Sequence, residues 1–112
     1  MPTIRARTTM TASGQAFPLQ GDQYEYLPFD ALVQFAIKGD TGAVVRATVY
    51  SGSDLLMAQA LIDIKAVATA IVYPDDVDVQ DGAAAGERIS VALLEGAAAT
   101  PIVRTVAWIS PA

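Results

Sequence analysis

Residues 31–50, ALVQFAIKGDTGAVVRATVY, hold the clearest structural pattern in the chain. On both sides of residues 39–42, every second position is apolar, and a period of two is typical of β-strands, whose successive side chains point to opposite faces. The alternating apolar positions are Val33, Phe35, Ile37, Val45, Ala47 and Val49. Residues 39–42 have a normal hairpin-loop length and contain two glycines. The stretch therefore predicts strands at 31–38 and 43–50, joined directly as an antiparallel hairpin.

The same alternation continues outward from this stretch. Residues 87–94 and 102–110 also alternate, and residues 3–10 are rich in β-branched residues, which favours a third strand. Turn-forming residues recur at a spacing of about ten residues, which is typical of sandwiches and barrels. We therefore expect a mostly β protein with one domain, residues 1–112. The expected architecture is a single antiparallel β-sandwich or jelly-roll-like barrel of about seven or eight short strands. Both faces of 102–110 are apolar, which suggests that one of them packs against a neighbouring subunit.

Residues 55–73 are compatible with two kinds of element. Even-numbered positions from Ala58 to Val72 are apolar, as in a strand. On a helix, the polar residues Gln59, Asp63, Lys65 and Thr69 would instead share one arc of about 160°. The β-branched end of the stretch favours strands, broken near residues 64–66, but the helix stays open.

Composition narrows the possible functions. The chain has no cysteine, histidine or asparagine, so thiolate chemistry, histidine acid–base catalysis and N-glycosylation are excluded. A net charge of −5 does not suit nucleic-acid binding. Charged residues make up 17% of the chain, against about 25% in typical domains, which predicts an apolar surface that meets a partner. We expect no enzymatic activity, no catalytic residue and no cofactor.

Two acidic motifs suggest specific chemistry. Asp75, Asp76, Asp78 and Asp81 loosely resemble a calcium loop that ends at Glu87, but the required glycine is displaced and no helix flanks it. We predict an ordinary acidic turn without a metal, and leave open whether the loop binds Ca²⁺. Residues 40–42 spell Asp-Thr-Gly, as in aspartic proteases, but turn chemistry explains them fully.

Aromatic residues are the best candidates for contacts. Tyr24 and Tyr26 alternate around Glu25, which would put both rings on one face, with Phe29 close by. Aromatic side chains bury much area at small entropic cost, so they suit an interface, although they could equally cap the open end of the core. Trp108 is a further candidate for such a contact.

A short basic stretch begins the chain. Arg5 and Arg7 precede the first acidic residue, Asp22. They could touch an acidic neighbour or lie on a solvated strand face. The candidate interface therefore consists of Tyr24, Tyr26, Phe29, Arg5, Arg7 and Trp108.

The overall pattern resembles small β-sandwich or jelly-roll virion proteins of bacterial viruses. The resemblance is carried by the Arg/Thr-rich strand at 3–10, the turn region at 24–29 and the short alternating strands that end near Trp108. It implies a capsid, capsid-decoration or cement protein that contacts itself, as a homo-oligomer, or a viral shell protein. No signal peptide or membrane span is recognisable, so we expect synthesis in the host cytoplasm and then incorporation into the virion.

Two alternatives remain open at this stage. The first is a carbohydrate- or peptide-binding module with Tyr24, Tyr26 and Trp108 as stacking residues and Ca²⁺ in the acidic loop. The second is a phage tail subunit, which differs from a shell protein only in its symmetry.

Overall fold

The computed structural model describes residues 3–10, 14–40, 45–65, 69–73, 75–95 and 102–111. These residues form β-strands and connecting segments without a helix, which confirms the prediction of a mostly β protein. The strands are β1 (Thr3–Thr9), β2 (Gln15–Ala16), β3 (Ala31–Gly39), β4 (Val45–Ser51), β5 (Asp54–Leu61), β6 (Asp63–Ile64), β7 (Val79–Ala83), β8 (Ile89–Glu95) and β9 (Ile102–Pro111).

The strands form two sheets. Sheet A has the order β1-β9-β3-β6, and β7 also pairs with β3. Sheet B has the order β2-β8-β4-β5. The pairs are antiparallel except for the short parallel pair of β3 with β6. Within the described chain, β1 and β5 are therefore the long edge strands of their sheets.

The predicted hairpin between residues 31–38 and 43–50 is wrong. β3 lies in sheet A between β9 and β7, whereas β4 lies in sheet B between β8 and β5. The alternation identified both strands correctly, but their apolar faces meet across the core and do not lie side by side. Residues 41–44, which connect the two strands in the chain, lie outside the described residues.

The hydrophobic core lies between these two sets of strands. A single cluster of buried side chains takes Phe35 and Ile37 from β3, Val49 from β4, Val91 from β8 and Ile109 from β9. Phe35 is completely buried. Both sheets thus contribute the alternating residues that the sequence marked as apolar.

The ambiguous stretch begins as a strand. β5 forms a hairpin with β4 through a tight turn in which Gly52 has a φ of 60°, a value that favours glycine. The alternation then breaks because the register with β4 shifts on either side of Val49, and Gln59 takes a φ of 49°. A bulge adds one residue to a strand, so the side chains that follow it point to the opposite face of the sheet. A strand interrupted in this way departs from strict alternation, and its apolar pattern is then also compatible with a helix.

Candidate functional sites

The outer face of sheet A is covered by the chain itself. Tyr73 lies over Trp108 with ring centroids 5.1 Å apart, and Ile71 and Val77 pack beside it. Trp108 is only 3% exposed. We call residues 69–73 and 75–78 the covering segment. The second apolar face of β9 is thus buried within one chain, so Trp108 is not on the surface where the sequence placed it.

Both lysines of the chain hold the covering segment in place. The Lys38 ammonium donates a hydrogen bond of 2.7 Å to Asp78, whose other oxygen accepts the backbone N–H of Ile37 at 2.8 Å. Lys65 pairs with Asp76 at the preceding turn. The Lys65 hydrogen bond holds the pKa of Asp76 below its usual value. This stabilisation is present above the ordinary carboxyl pKa and is lost as pH falls through the lowered one.

The acidic residues that resembled a calcium loop do not converge on one point. Asp76 and Asp78 each bind a lysine, while Asp81 lies in β7 beside Asp54 of β5. Among the described residues, no group of three acidic side chains is placed to hold a metal ion. Asp76 and Asp78 thus hold the covering segment in place through ion pairs with the two lysines. Binding of Ca²⁺ by this loop stays a separate hypothesis.

Asp54 of β5 and Asp81 of β7 lie close together where the two sheets approach each other. A shared hydrogen bond with Asp81, together with the charge of Asp81, raises the pKa of Asp54 above its ordinary value of 3.8. The Oδ2 atom of Asp81 is buried and has no hydrogen-bond partner among the described residues. The folded protein therefore holds a proton on Asp54 more tightly than the unfolded chain does.

Replacing Asp54 with asparagine should stabilise the protein at neutral pH. Because the pKa is raised on folding, the favourable protonated state is present below the unfolded pKa and is lost as pH rises through the folded pKa. At pH 7 the pair is repulsive, and Asp54→Asn removes that repulsion. Thermal melting monitored by circular dichroism should give a higher midpoint than wild type at about pH 7 and little difference at about pH 3.

Asp75→Asn is the matched control, because Asp75 is exposed and the substitution removes the same charge. It should leave the melting midpoint nearly unchanged at both pH values. A lower midpoint for Asp54→Asn at neutral pH would show that the carboxylate pair is not repulsive.

The aromatic candidates in the loop before β3, Tyr24, Tyr26 and Phe29, differ in how much of each side chain is exposed. Glu25 is buried and binds Arg88, with Oε2 2.8 Å from Nε and 2.7 Å from Nη2. Its other oxygen accepts the backbone N–H of Gly21, and this hydrogen bond, followed by the one from Arg88, holds the pKa of Glu25 below its usual value. Tyr24 and Phe29 pack against the core, whereas Tyr26 is 61% exposed. Only Tyr26 of the three presents most of its ring to solvent, so the two tyrosines do not share a face.

The outer face of sheet B is an exposed surface that the sequence analysis missed. Cross-strand register places Ser90, Tyr50 and Leu55 in one row, and Leu94, Arg46 and Leu61 in another. Tyr50, Leu55 and Leu61 are 41%, 50% and 55% exposed. We define the sheet B face by its eight members, Arg46, Thr48, Tyr50, Leu55, Leu61, Ser90, Ala92 and Leu94.

This surface carries a single charged side chain, Arg46. The sequence did contain a signal for it, since Leu55 and Leu61 lie in a stretch with few charges. The bulged register concealed that these leucines share a face with Tyr50. No part of the described chain lies over this face as the covering segment does over sheet A.

The basic candidates, Arg5 and Arg7, lie in β1 of sheet A. Arg5 and Arg7 line a groove of about 440 Å³ together with Arg104 of β9. Ile71 and Val106 add apolar surface to the same groove. The sequence identified Arg5 and Arg7, but only the register of β1 with β9, which sets Arg7 opposite Arg104, brings in the third arginine.

The Asp-Thr-Gly motif is only partly described. Asp40 donates its backbone N–H to the carbonyl of Ile102 at 2.9 Å. Thr41 and Gly42 lie outside the described residues, so the prediction of a turn there is not tested.

Comparison with known proteins gave no relative. No protein-family model, curated protein or solved structure matched this chain. The described residues contain no helix long and apolar enough to cross a membrane.

Proposed function

We propose that this protein is a non-enzymatic structural component of a virion, a capsid, capsid-decoration or cement protein that acts through subunit contacts. In this proposal the two sheets form an antiparallel β-sandwich or jelly-roll-like barrel. The sheet B face is the surface through which copies associate.

The observation that carries the proposal is the low charge of the sheet B face, on which Arg46 is the single charged member. A solvated strand face usually carries charged side chains, whereas the centre of an interface is depleted of them and enriched in aromatic residues. Tyr50 packs directly opposite Leu55, and both are about half exposed, so a partner would bury a cross-strand pair of large side chains.

The edge strand of the same sheet, β5, also carries few charges, but its geometry favours contact through the face of the sheet. β5 pairs with β4 alone among the described strands, and of its eight residues only Asp54 is charged. Edge strands that remain exposed are normally protected by charges, prolines or bulges. Here the bulge near Gln59 interrupts strand pairing, which favours contact through the face of the sheet over contact through its edge.

The alternative surface on sheet A is less suited to association of copies. The covering segment already buries the apolar residues Val106 and Trp108 there. The remaining exposed side chains near β1 include Arg5 and Arg7, whose like charges would repel in a symmetric contact. The two sheets thus differ in the kind of partner they favour.

Electron microscopy of the purified protein after size exclusion tests the proposal. We expect a symmetric oligomer or particle; closed shells would favour a capsid role, and stacked rings would favour a tail subunit. The same sample should be mixed with isolated capsids of bacterial viruses, on which a decoration protein would add regular density. A protein that neither assembles nor binds any shell, but binds an oligosaccharide, would contradict the proposal.

A further inference from the structure

We propose that the arginine groove of sheet A binds an extended acidic segment of a partner protein, added as a strand beside β1. The inference deepens the proposed function, on which it rests for the identity of the partner as another virion protein. The acidic and extended character of the segment is inferred from the residues that line the groove and from the edge of β1.

The first argument is the concentration of positive charge. The chain has 12 acidic and 7 basic residues, yet three of its five arginines line this groove. None of the residues lining the groove is acidic. In the described chain neither Arg5 nor Arg7 forms an ion pair or a side-chain hydrogen bond. The groove is therefore a local basic site on an acidic protein.

The second argument is the register of the arginines. Arg7 lies directly opposite Arg104, and like charges directly opposite on neighbouring strands are destabilising. Arg104 is held by hydrogen bonds of 2.7 Å to the carbonyl of Thr69 and 3.2 Å to that of Lys65. An incoming carboxylate would offset this repulsion, and guanidinium groups bind carboxylates in bidentate geometry.

The third argument is the free edge of the sheet. β9 alone among the described strands pairs with β1, through seven consecutive residues without a bulge. No described strand occupies the other side of β1, so an extended segment could add there by backbone hydrogen bonds.

The spacing of the arginines specifies the segment. Arg5 and Arg7 are two residues apart on one strand, so both project from the same face. An added strand would match them with acidic residues at alternate positions, whose carboxylates also share a face.

Binding of synthetic peptides tests this inference. The probe is a fluorescently labelled peptide in which aspartate and valine alternate, and the comparison is the same peptide with lysine in place of aspartate. Fluorescence anisotropy should show binding of the aspartate peptide alone. Arg5→Glu and Arg7→Glu should each weaken it by about tenfold or more, because each reverses a charge that binds a carboxylate.

Gln23→Glu is the control, since it adds an acidic side chain at an exposed position outside both the groove and the sheet B face and should leave peptide binding unchanged. Circular dichroism should show that all three variants keep the wild-type fold. Absence of aspartate-peptide binding, or binding that Arg5→Glu and Arg7→Glu do not weaken, would overturn the inference. Tighter binding of a single-stranded oligonucleotide at the same arginines would also overturn it, because the groove would then be a nucleic-acid site.

The two proposals fail separately. If the protein assembles but does not bind the aspartate peptide, the proposed acidic-segment site is wrong and the proposed structural role is unaffected. A monomer that attaches to no shell but binds the peptide refutes the structural role and leaves the acidic-segment site.

Discussion

Replacing Phe35 with alanine should lower the free energy of unfolding by about 3–5 kcal/mol, the usual cost of deleting a buried aromatic side chain. Phe35 is completely buried at the centre of β3, in the cluster to which both sheets contribute. The loss combines the burial of the ring with the cavity that remains, since close-packed surroundings relax only partly. Urea unfolding followed by circular dichroism measures the change.

Leu32→Ala on the same strand is the control for this prediction. Leu32 is 37% exposed, so its truncation should change the free energy of unfolding by only about 0.5 kcal/mol. Because small domains have total stabilities of about 5–15 kcal/mol, Phe35→Ala could fail to fold at all, and Phe35→Leu then provides a milder variant with a measurable loss. Equal effects of Phe35→Ala and Leu32→Ala would contradict the position of the core between the two sheets.

A second large effect is expected on the sheet B face. The double substitution Tyr50→Lys and Leu61→Lys should weaken self-association by about a hundredfold, roughly tenfold for each buried side chain that is replaced by a charge. Both positions are more than 40% exposed in the single chain, at 41% and 55%, so the fold should be retained. Sedimentation velocity measures the association constant, and circular dichroism verifies the fold.

Val72→Lys is the control for the face. Val72 is 47% exposed on the covering segment, so the substitution places one of the two added positive charges on a comparably exposed apolar residue over the other sheet. Association should persist in this variant. If Val72→Lys dissociates the protein as effectively as the double substitution, a general increase in solubility would explain the result and the sheet B face would lose its support.

The strands could be predicted from the sequence, but their neighbours could not. Alternation at Val33, Phe35 and Ile37 identified the face of β3 that packs into the core, and the same reasoning placed Ile89, Val91 and Leu93. Periodicity states which face of a strand is buried and nothing about which strand lies beside it. For this reason β3 and β4, consecutive in the chain, were wrongly predicted to form a hairpin.

The covering segment explains why Trp108, which was predicted to be a surface contact residue, is buried in the structure. Trp108 was predicted as a contact residue because both faces of its strand are apolar. The segment that buries it has no regular structure, and the ion pair that holds it joins Lys38 to Asp78, which are 40 positions apart in the chain. No local pattern reveals such a pairing. The candidates Arg5 and Arg7 remain on the surface, and the fold adds Arg104 to them.

Light scattering on wild type and on the double variant over a range of concentrations measures whether copies associate through the sheet B face. The molar mass of wild type should rise above the 11.7 kDa of one chain as concentration increases, while Tyr50→Lys with Leu61→Lys should stay at that mass. A wild-type protein that remains at 11.7 kDa at every concentration would contradict association of copies through the sheet B face, as would a double variant that associates as strongly as wild type.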